Sequence, residues 1–369
     1  MTTSRSFPIL LVCAPGLEAT LADEVRECGF AISSQIAGGV EITGTWRDVW
    51  RANLEVRGTA KALARIGAFR ALHLAQLDKR ARAFAWSDTL RPDVAFRVEA
   101  SCARSRIYHS KAAAQRVENA ITQTLGAPLS EEADVVIKVR IEDDLVTLSI
   151  DTSGEGLHKR GAKQAMAKAP MRETMAALFL RQCGFNGQEP VLDPMCGSGT
   201  FIIEAAEISA GLKPGRNRAF AFEHLAGFDA AAWQVLRAPP PAAPLLTTFH
   251  GSDRDAGAIA AAKANAARAG VGGTCVFEQR PISAIAPPAG RPGLVIMNPP
   301  YGGRIGDKQS LGALYASTGK VLRERFSGWR IGMITNDDAL ARATGLKFMK
   351  GPPILHGGLR VWLYQGPMD

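Results

Sequence analysis

Apolar and polar positions follow two regimes along the chain. Up to Asp151 short alternating runs and amphipathic stretches succeed one another. Phe7–Val12 reads as a strand, and Leu17, Leu21 and Val25 then recur at near-helical spacing through Cys28, where Gly29 stops the helix. Ala31–Ile36 and Gly39–Ile42 read as strands and Trp46–Leu54 as a helix, which makes a small α+β unit over residues 7–58. Thr59–Phe69 fits a strand or a helix, because its periodicity does not decide. Leu72–Ala85 and Ser110–Leu125 have helical patterns, and Val94–Ser101 alternates like a strand. Val135–Ile141 and Leu145–Asp151 alternate on either side of Glu142-Asp143-Asp144, the pattern of a β-hairpin. These elements form a second α+β unit over residues 59–152.

A Gly-rich basic connector follows, Ser153–Gly161. From Pro170 onward helices and short strands alternate. Met171–Cys183, Gly199–Ala210, Ala256–Ala269 and Leu311–Phe326 read as helices. Pro190–Asp193, Phe249–Asp253, Thr274–Glu278, Leu294–Met297, Arg330–Thr335 and Leu359–Tyr364 read as strands. Gly211–Phe228 reads as a basic loop and Ala238–Pro244 as a Pro-rich crossing. Such alternation implies an α/β domain with a parallel sheet and an antiparallel strand near its end.

Size and charge refine this picture. The 369 residues suit two or three domains. No apolar run approaches the roughly 18 residues of a membrane span, and the N-terminus lacks the pattern of a signal peptide. The six cysteines form no Cys-x-x-Cys pair and the histidines have no metal spacing, so reduced thiols, no metal and a cytoplasmic setting are expected. The net charge of +9 calls for a polyanionic partner. Fifteen Lys/Arg against six Asp/Glu lie between Arg47 and Arg116, which equals the whole net charge. Arg104, Arg106, Lys111 and Arg116 follow one another with no acid between them, and His158-Lys159-Arg160 ends the connector. These seven are the expected phosphate contacts.

The chemistry resides at three strand ends. Asp193-Pro194-Met195-Cys196-Gly197-Ser198-Gly199-Thr200 joins a strand to a helix, with glycines for a tight turn and close approach of a ligand. It has neither the lysine of a P-loop nor the Gly-x-Gly-x-x-Gly of a dinucleotide fold. With Asp193 at the strand end, the ligand should carry a cation, and S-adenosylmethionine fits. Asp253, followed by Arg254, ends the next strand, where a carboxylate can accept both ribose hydroxyls. Asp255 reads as a helix N-cap.

Gly293–Arg304 contains the third motif, Asn298-Pro299-Pro300-Tyr301. Two prolines end the strand. The Asn298 side-chain carbonyl and the Pro299 carbonyl are acceptors suited to an exocyclic amine. Tyr301 offers a face on which a base can stack. Accepting both amine hydrogens favours a pyramidal nitrogen that can attack an electrophile. The motif serves guanine and adenine alike.

These three motifs resemble those of class I methyltransferases that act on exocyclic amines. Leu157-His158-Lys159-Arg160-Gly161, Ala169-Pro170-Met171-Arg172-Glu173 and the domain order further resemble the THUMP-domain RNA guanine-N2 methyltransferases, whose members act on 23S rRNA and are related to tRNA enzymes. The resemblance implies a ferredoxin-like domain at 1–58, a THUMP RNA-binding domain at 59–160 and a Rossmann-like methyltransferase domain at 161–369. It implies that Asp193, Pro194, Met195, Cys196, Gly197, Gly199 and Thr200 surround the cofactor beside Arg254 and Asn298, that Asp253 holds its ribose, and that Asn298, Pro299, Pro300 and Tyr301 hold the target base. Two positions depart from the family pattern. Arg280-Pro281 stands where many relatives place an acid that reads adenine, so backbone around Pro281-Ile282 is expected to take that role. Ala162 replaces the usual aromatic. The expected protein is a monomeric S-adenosylmethionine-dependent enzyme forming N2-methylguanosine in rRNA. A tRNA substrate, an adenine-N6 DNA methyltransferase and a non-catalytic RNA-binding assembly factor are the rival readings.

Overall fold

A computed structural model describes residues 6–161, 171–239, 247–302 and 308–368. Its elements run β1 (Phe7–Val12), α1 (Glu18–Glu27), β2 (Ile32–Ile36), β3 (Gly39–Gly44), α2 (Trp46–Glu55), β4 (Lys61–Arg70), α3 (Leu74–Arg82), β5 (Phe96–Ala103), α4 (Ser110–Leu125), β6 (Val135–Glu142) and β7 (Leu145–Asp151). There follow α5 (Glu173–Gln182), β8 (Val191–Asp193), α6 (Thr200–Ser209), α7 (Ala230–Arg237), β9 (Phe249–Asp253), α8 (Ala256–Ala269), β10 (Cys275–Gln279) and β11 (Leu294–Met297). The chain ends with α9 (Lys308–Arg325), β12 (Arg330–Thr335), α10 (Asp338–Ala343), β13 (Met349–Lys350), β14 (Ile354–His356) and β15 (Leu359–Pro367). Among the described residues the chain gathers into two compact units. No helix is long and apolar enough to cross a membrane.

The first unit holds the described residues up to Cys13, Val25–Leu157 and Arg218–Ala238. Its seven strands form one sheet in the order β2-β3-β1-β4-β7-β6-β5. The first four, with α1 and α2, have the ferredoxin-like βαββαβ succession. β4 settles the segment whose periodicity is ambiguous. It pairs antiparallel with both β1 and β7, so the two α+β units share a single sheet. Its pattern is weak because small residues, Ala62 and Ala64, fill the buried positions. Its register shifts between Arg65 and Gly67, where Gly67 lies beneath the Phe84 ring. The β6–β7 hairpin turns on Asp143 and Asp144, with φ of 50° and 60°, a two-residue loop matched to strand twist.

One segment departs from the sequence reading. Arg218–Ala238, whose first part falls in the stretch Gly211–Phe228 read as a basic loop, belongs to this first unit and contains α7, an additional helix. Phe222 stacks at 6.0 Å from Trp50, and Trp233 sits edge-on to Phe222 at 5.0 Å. Arg218 donates to the carbonyls of Ser153, Glu155 and Gly156. These contacts span long stretches of sequence, which a local pattern does not reveal. Most of the Pro-rich crossing lies outside the described residues.

The second unit holds Ala14–Glu24, and the described residues of His158–Asn217 and of the chain from Pro239. Its eight-stranded sheet runs β10-β9-β8-β11-β12-β15-β13, with β14 on β15. β8 to β12 are parallel and β15 is antiparallel to β12, as the alternation predicts. The strand order reverses between β8 and β11, and ligands bind at the carboxyl edge of such a switch point. The core against α9 is built from Val295, Met297, Tyr315, Leu322, Phe326, Ile331 and Met333. The short α10, β13 and β14 are additional to the sequence reading.

Candidate active site

The Gly-rich turn leaves β8 at Asp193 and enters α6 at Thr200. Gly197 and Gly199 have φ of 52° and 87°, a conformation that glycine adopts without steric cost. Backbone bonds tie the turn to the neighbouring strand: Cys196 N donates to the Ser252 carbonyl at 2.9 Å. Gly197 N donates to Asp253 Oδ2 at 3.0 Å, while Asp253 Oδ1 accepts from Asp255 N at 3.0 Å. Asp253 thus holds the turn and starts the next loop, and each oxygen keeps a second lone pair for a hydroxyl. Asp255 caps α8 through Gly257 N, as expected. Pro194 and Cys196 are buried, and Met195 is partly exposed. A β-carbon on Gly251 would lie 2.6 Å from the Phe277 ring and 3.1 Å from Cys196 Sγ.

Asp193 is 2% exposed and accepts from Met195 N at 3.0 Å. Burial pushes its carboxyl up to about 8, the Met195 hydrogen bond opposes that shift, and nearby Asp253 adds to it. A second negative charge therefore disfavours ionisation here, and a bound cation would reverse the balance. Burial keeps the Cys196 thiol protonated, with Asp193 and Asp253 reinforcing it. Around the third strand end, Arg280 N donates to the Asp253 carbonyl at 2.9 Å and the Arg280 guanidinium pairs with Glu278 at 2.9 Å. Gln279 Nε2 donates to the Arg254 carbonyl at 3.1 Å. Pro281 is exposed and Ile282 packs on the core.

Across the switch point, Asn298 to Tyr301 continue from β11. Leu294–Met297 are fully buried, so the strand is fixed on both faces. Asn298 Oδ1 is buried with no hydrogen-bond partner among the described residues. Buried acceptors are nearly always satisfied, so Asn298 Oδ1 retains the capacity to accept from an external donor. Tyr301 is half-buried on the core cluster, and burial pushes its phenol up to about 12. Tyr315 Oη donates within reach of the Pro300 carbonyl, at 3.3 Å, and lies 3.2 Å from Thr335 Oγ1. Burial also raises the Tyr315 phenol, which stays protonated. Gly302 has φ of 73°, and a β-carbon there would lie 3.7 Å from the Asn336 amide nitrogen. Tyr315, Thr335 and Asn336 have no site role in the sequence reading, because α9, β12 and the residue after it bring them here and they carry no local motif. Gly303 and Arg304 lie outside the described residues.

Three family models match the chain: an RlmL ferredoxin-like domain at 8–61, a THUMP domain at 73–151, and an RMKL-like methyltransferase domain at 160–353. The last alone covers more than half of the chain. The chain belongs to the RMKL-like methyltransferase family. A Synechocystis protein, slr0064, named as a candidate RNA methyltransferase, is 32% identical over 95% of this chain and 94% of its own length. A ribosomal RNA large subunit methyltransferase K/L from a Marinomonas strain is 32% identical over 100% of this chain. This chain spans 53% of that relative, about half the length of the K/L proteins it matches. The solved structure of SMU.472, described as a methyltransferase complexed with SAH, is 28% identical with a TM-score of 0.88, covering 100% of this chain and 99% of that one.

In this RMKL-like chain the expected phosphate contacts divide. Lys111 and Arg116 stand exposed on α4, and Lys159 is exposed in the connector, with His158 partly so. Arg104 pairs with Glu142 and with Asp143, and Arg106 lies 4.0 Å from Asp144. The acids come from the β6–β7 turn, distant in sequence, so the run without acids is not a run without counter-charge. Arg160 is corrected outright: it is 6% exposed, and its Nε donates to Glu204 Oε1 at 3.0 Å. A guanidinium buried on a carboxylate is withdrawn from a phosphate. Ala162 and Ala169-Pro170 lie outside the described residues. No metal-holding group of side chains occurs among the described residues.

Proposed function

We propose that this chain is an S-adenosylmethionine-dependent RNA methyltransferase that places a methyl group on the exocyclic N2 of a guanosine in large-subunit ribosomal RNA. The observation that carries the proposal is the orphaned Asn298 Oδ1 at the carboxyl edge of β11, across the switch point from the Gly197–Gly199 turn. The turn supports cofactor binding: its glycines permit close approach, buried Asp193 suits the cofactor's cationic end, and Asp253 suits its ribose. When bound, S-adenosylmethionine supplies an electrophilic methyl group on a sulfonium.

This chain's residues hold the nucleophile. Asn298 Oδ1 and the Pro299 carbonyl accept the two amine hydrogens and localise the nitrogen lone pair. Tyr301, protonated at neutral pH, acts as a stacking face and not as a base. Tyr315 steadies the Pro300 carbonyl. Methyl transfer to that nitrogen would replace the methyl–sulfur bond with an N–C bond, and the nitrogen would then release its proton. Positioning supplies the greater part of the rate, since the reacting atoms need only be held in line. The base must leave its stack to enter, at a cost of a few kcal/mol. The RNA grip falls to the first unit, with Lys111 and Arg116 as contacts, joined by Lys159 of the connector, and catalysis falls to the second unit.

A tRNA substrate keeps every step unchanged. Adenine-N6 methylation of DNA is the second reading, because the two acceptors suit any ring amine. Equal amounts of RNA and DNA competing for labelled methyl groups separate them. Label in RNA is expected, and label in DNA alone would overturn the RNA reading.

A further inference from the structure

α6 is an apolar helix with two glutamates inside it. Thr200–Ser209 reads TFIIEAAEIS, and Glu204 and Glu207 are each 1% exposed. Three residues apart, they share one face of the helix. Burying carboxylates is costly unless cations and hydrogen bonds compensate them. Each meets an arginine from outside the helix. Arg160 of the connector donates through Nε to Glu204 Oε1 at 3.0 Å. Arg216 donates through Nη2 to Glu207 Oε1 at 2.5 Å and to the Ala269 carbonyl at 2.7 Å. The two arginine-bearing segments also press together: Gly161, with φ of 85°, lies so close to the Asn217 carbonyl that a β-carbon would overlap it. From α8, Asn265 Nδ2 donates to the Ser198 carbonyl at 3.1 Å, within the Gly-rich turn itself.

The helix that begins at the turn is therefore braced by the connector, by the loop after it and by α8. We propose that Arg160 is a positioning residue for the cofactor site. Through Glu204 it fixes the first turns of α6, and with them the Cys196–Thr200 backbone, in the geometry that binds the cofactor. The inference rests on reading that turn as the cofactor loop, and it makes the end of the connector part of the cofactor site's support.

Calorimetry with S-adenosylhomocysteine, alongside filter binding of rRNA and thermal melting, tests this on the full chain. Arg160→Met is expected to weaken S-adenosylhomocysteine binding about 10-fold or more, since small misplacements at a site are costly. RNA affinity should stay within about 2-fold of wild type. Glu204→Gln should reproduce the same cofactor defect, and the double variant should lose less than the sum of the two, because the side chains are direct partners. Arg160→Lys keeps the charge without the planar fork and should fall between, which also serves if Arg160→Met fails to fold. Lost RNA affinity with unchanged cofactor affinity would overturn the proposal, as would a lowered melting point with both affinities intact. Absence of S-adenosylhomocysteine binding by the wild-type chain would instead sink the cofactor reading on which it stands.

Discussion

The Gly-rich turn after β8 and the basic corner after β5 are both short and full of signal in the sequence, yet folding treats them differently. In the turn, residues act on near neighbours and on the strand beside them. Gly197 and Gly199 take the conformations their spacing implies, and Asp253 ends its strand beside them. In the corner, residues act on partners far away. Arg104 and Arg106 meet the acids of the β6–β7 turn, nearly forty residues on. Backbone chemistry is local and is legible as a motif. Charge is settled by whatever the fold brings near, and counting along the chain misjudges it.

The largest effect is expected from Asn298→Ala. Removing the orphaned acceptor should lower turnover by about 10²–10³-fold or more, the scale of losing one preorganised group. Calorimetric affinity for S-adenosylmethionine should persist. Loss of cofactor affinity instead would take Asn298 out of the target-base site.

Asp193 gives the next largest effect. Its carboxyl sits at about 8 when buried, against an ordinary 3.8. Between those values the folded chain holds a proton that the unfolded chain has released. Its contribution to stability is therefore present at low pH and is lost as pH rises toward 8. A cation bound there needs the ionised form, so affinity for S-adenosylmethionine should rise by up to about tenfold per pH unit below 8 and level off above it. Asp193→Asn should flatten that profile. A wild-type profile already flat between pH 6 and 9 would separate Asp193 from the cofactor's cation.

The basic corner gives the smallest effects. Arg104→Ala should change RNA affinity by less than about 2-fold, because the carboxylates of Glu142 and Asp143 beside it offset its charge toward a phosphate. Lys111→Ala should weaken RNA binding and reduce the salt slope by about 1. Equal effects from the two, measured across a salt series, would show that the turn acids do not shield Arg104.

Legibility followed the same division in the rest of the chain. The hairpin around Asp143-Asp144 and the five parallel strands are readable because period and punctuation are local. β4 was ambiguous because Ala62 and Ala64, which favour helices, fill its buried positions, and only β1 and β7 decide in favour of a strand. α7 was missed because its placement depends on Trp233 meeting Phe222. At the site, Asn298 and the glycines were visible in their motif, whereas Tyr315 and Thr335 gained a place there only through packing. Arg160 is the sharpest case. Beside exposed Lys159 it reads as another phosphate contact, yet it is buried on Glu204.

Whether Asn298 holds the exocyclic amine of guanosine for methyl transfer is decided by mass-spectrometric analysis of nucleosides from large-subunit rRNA incubated with the chain and labelled S-adenosylmethionine. Labelled N2-methylguanosine is expected, absent with Asn298→Ala. Labelled N6-methyladenosine, or label on a ribose hydroxyl or a ring carbon, would contradict it.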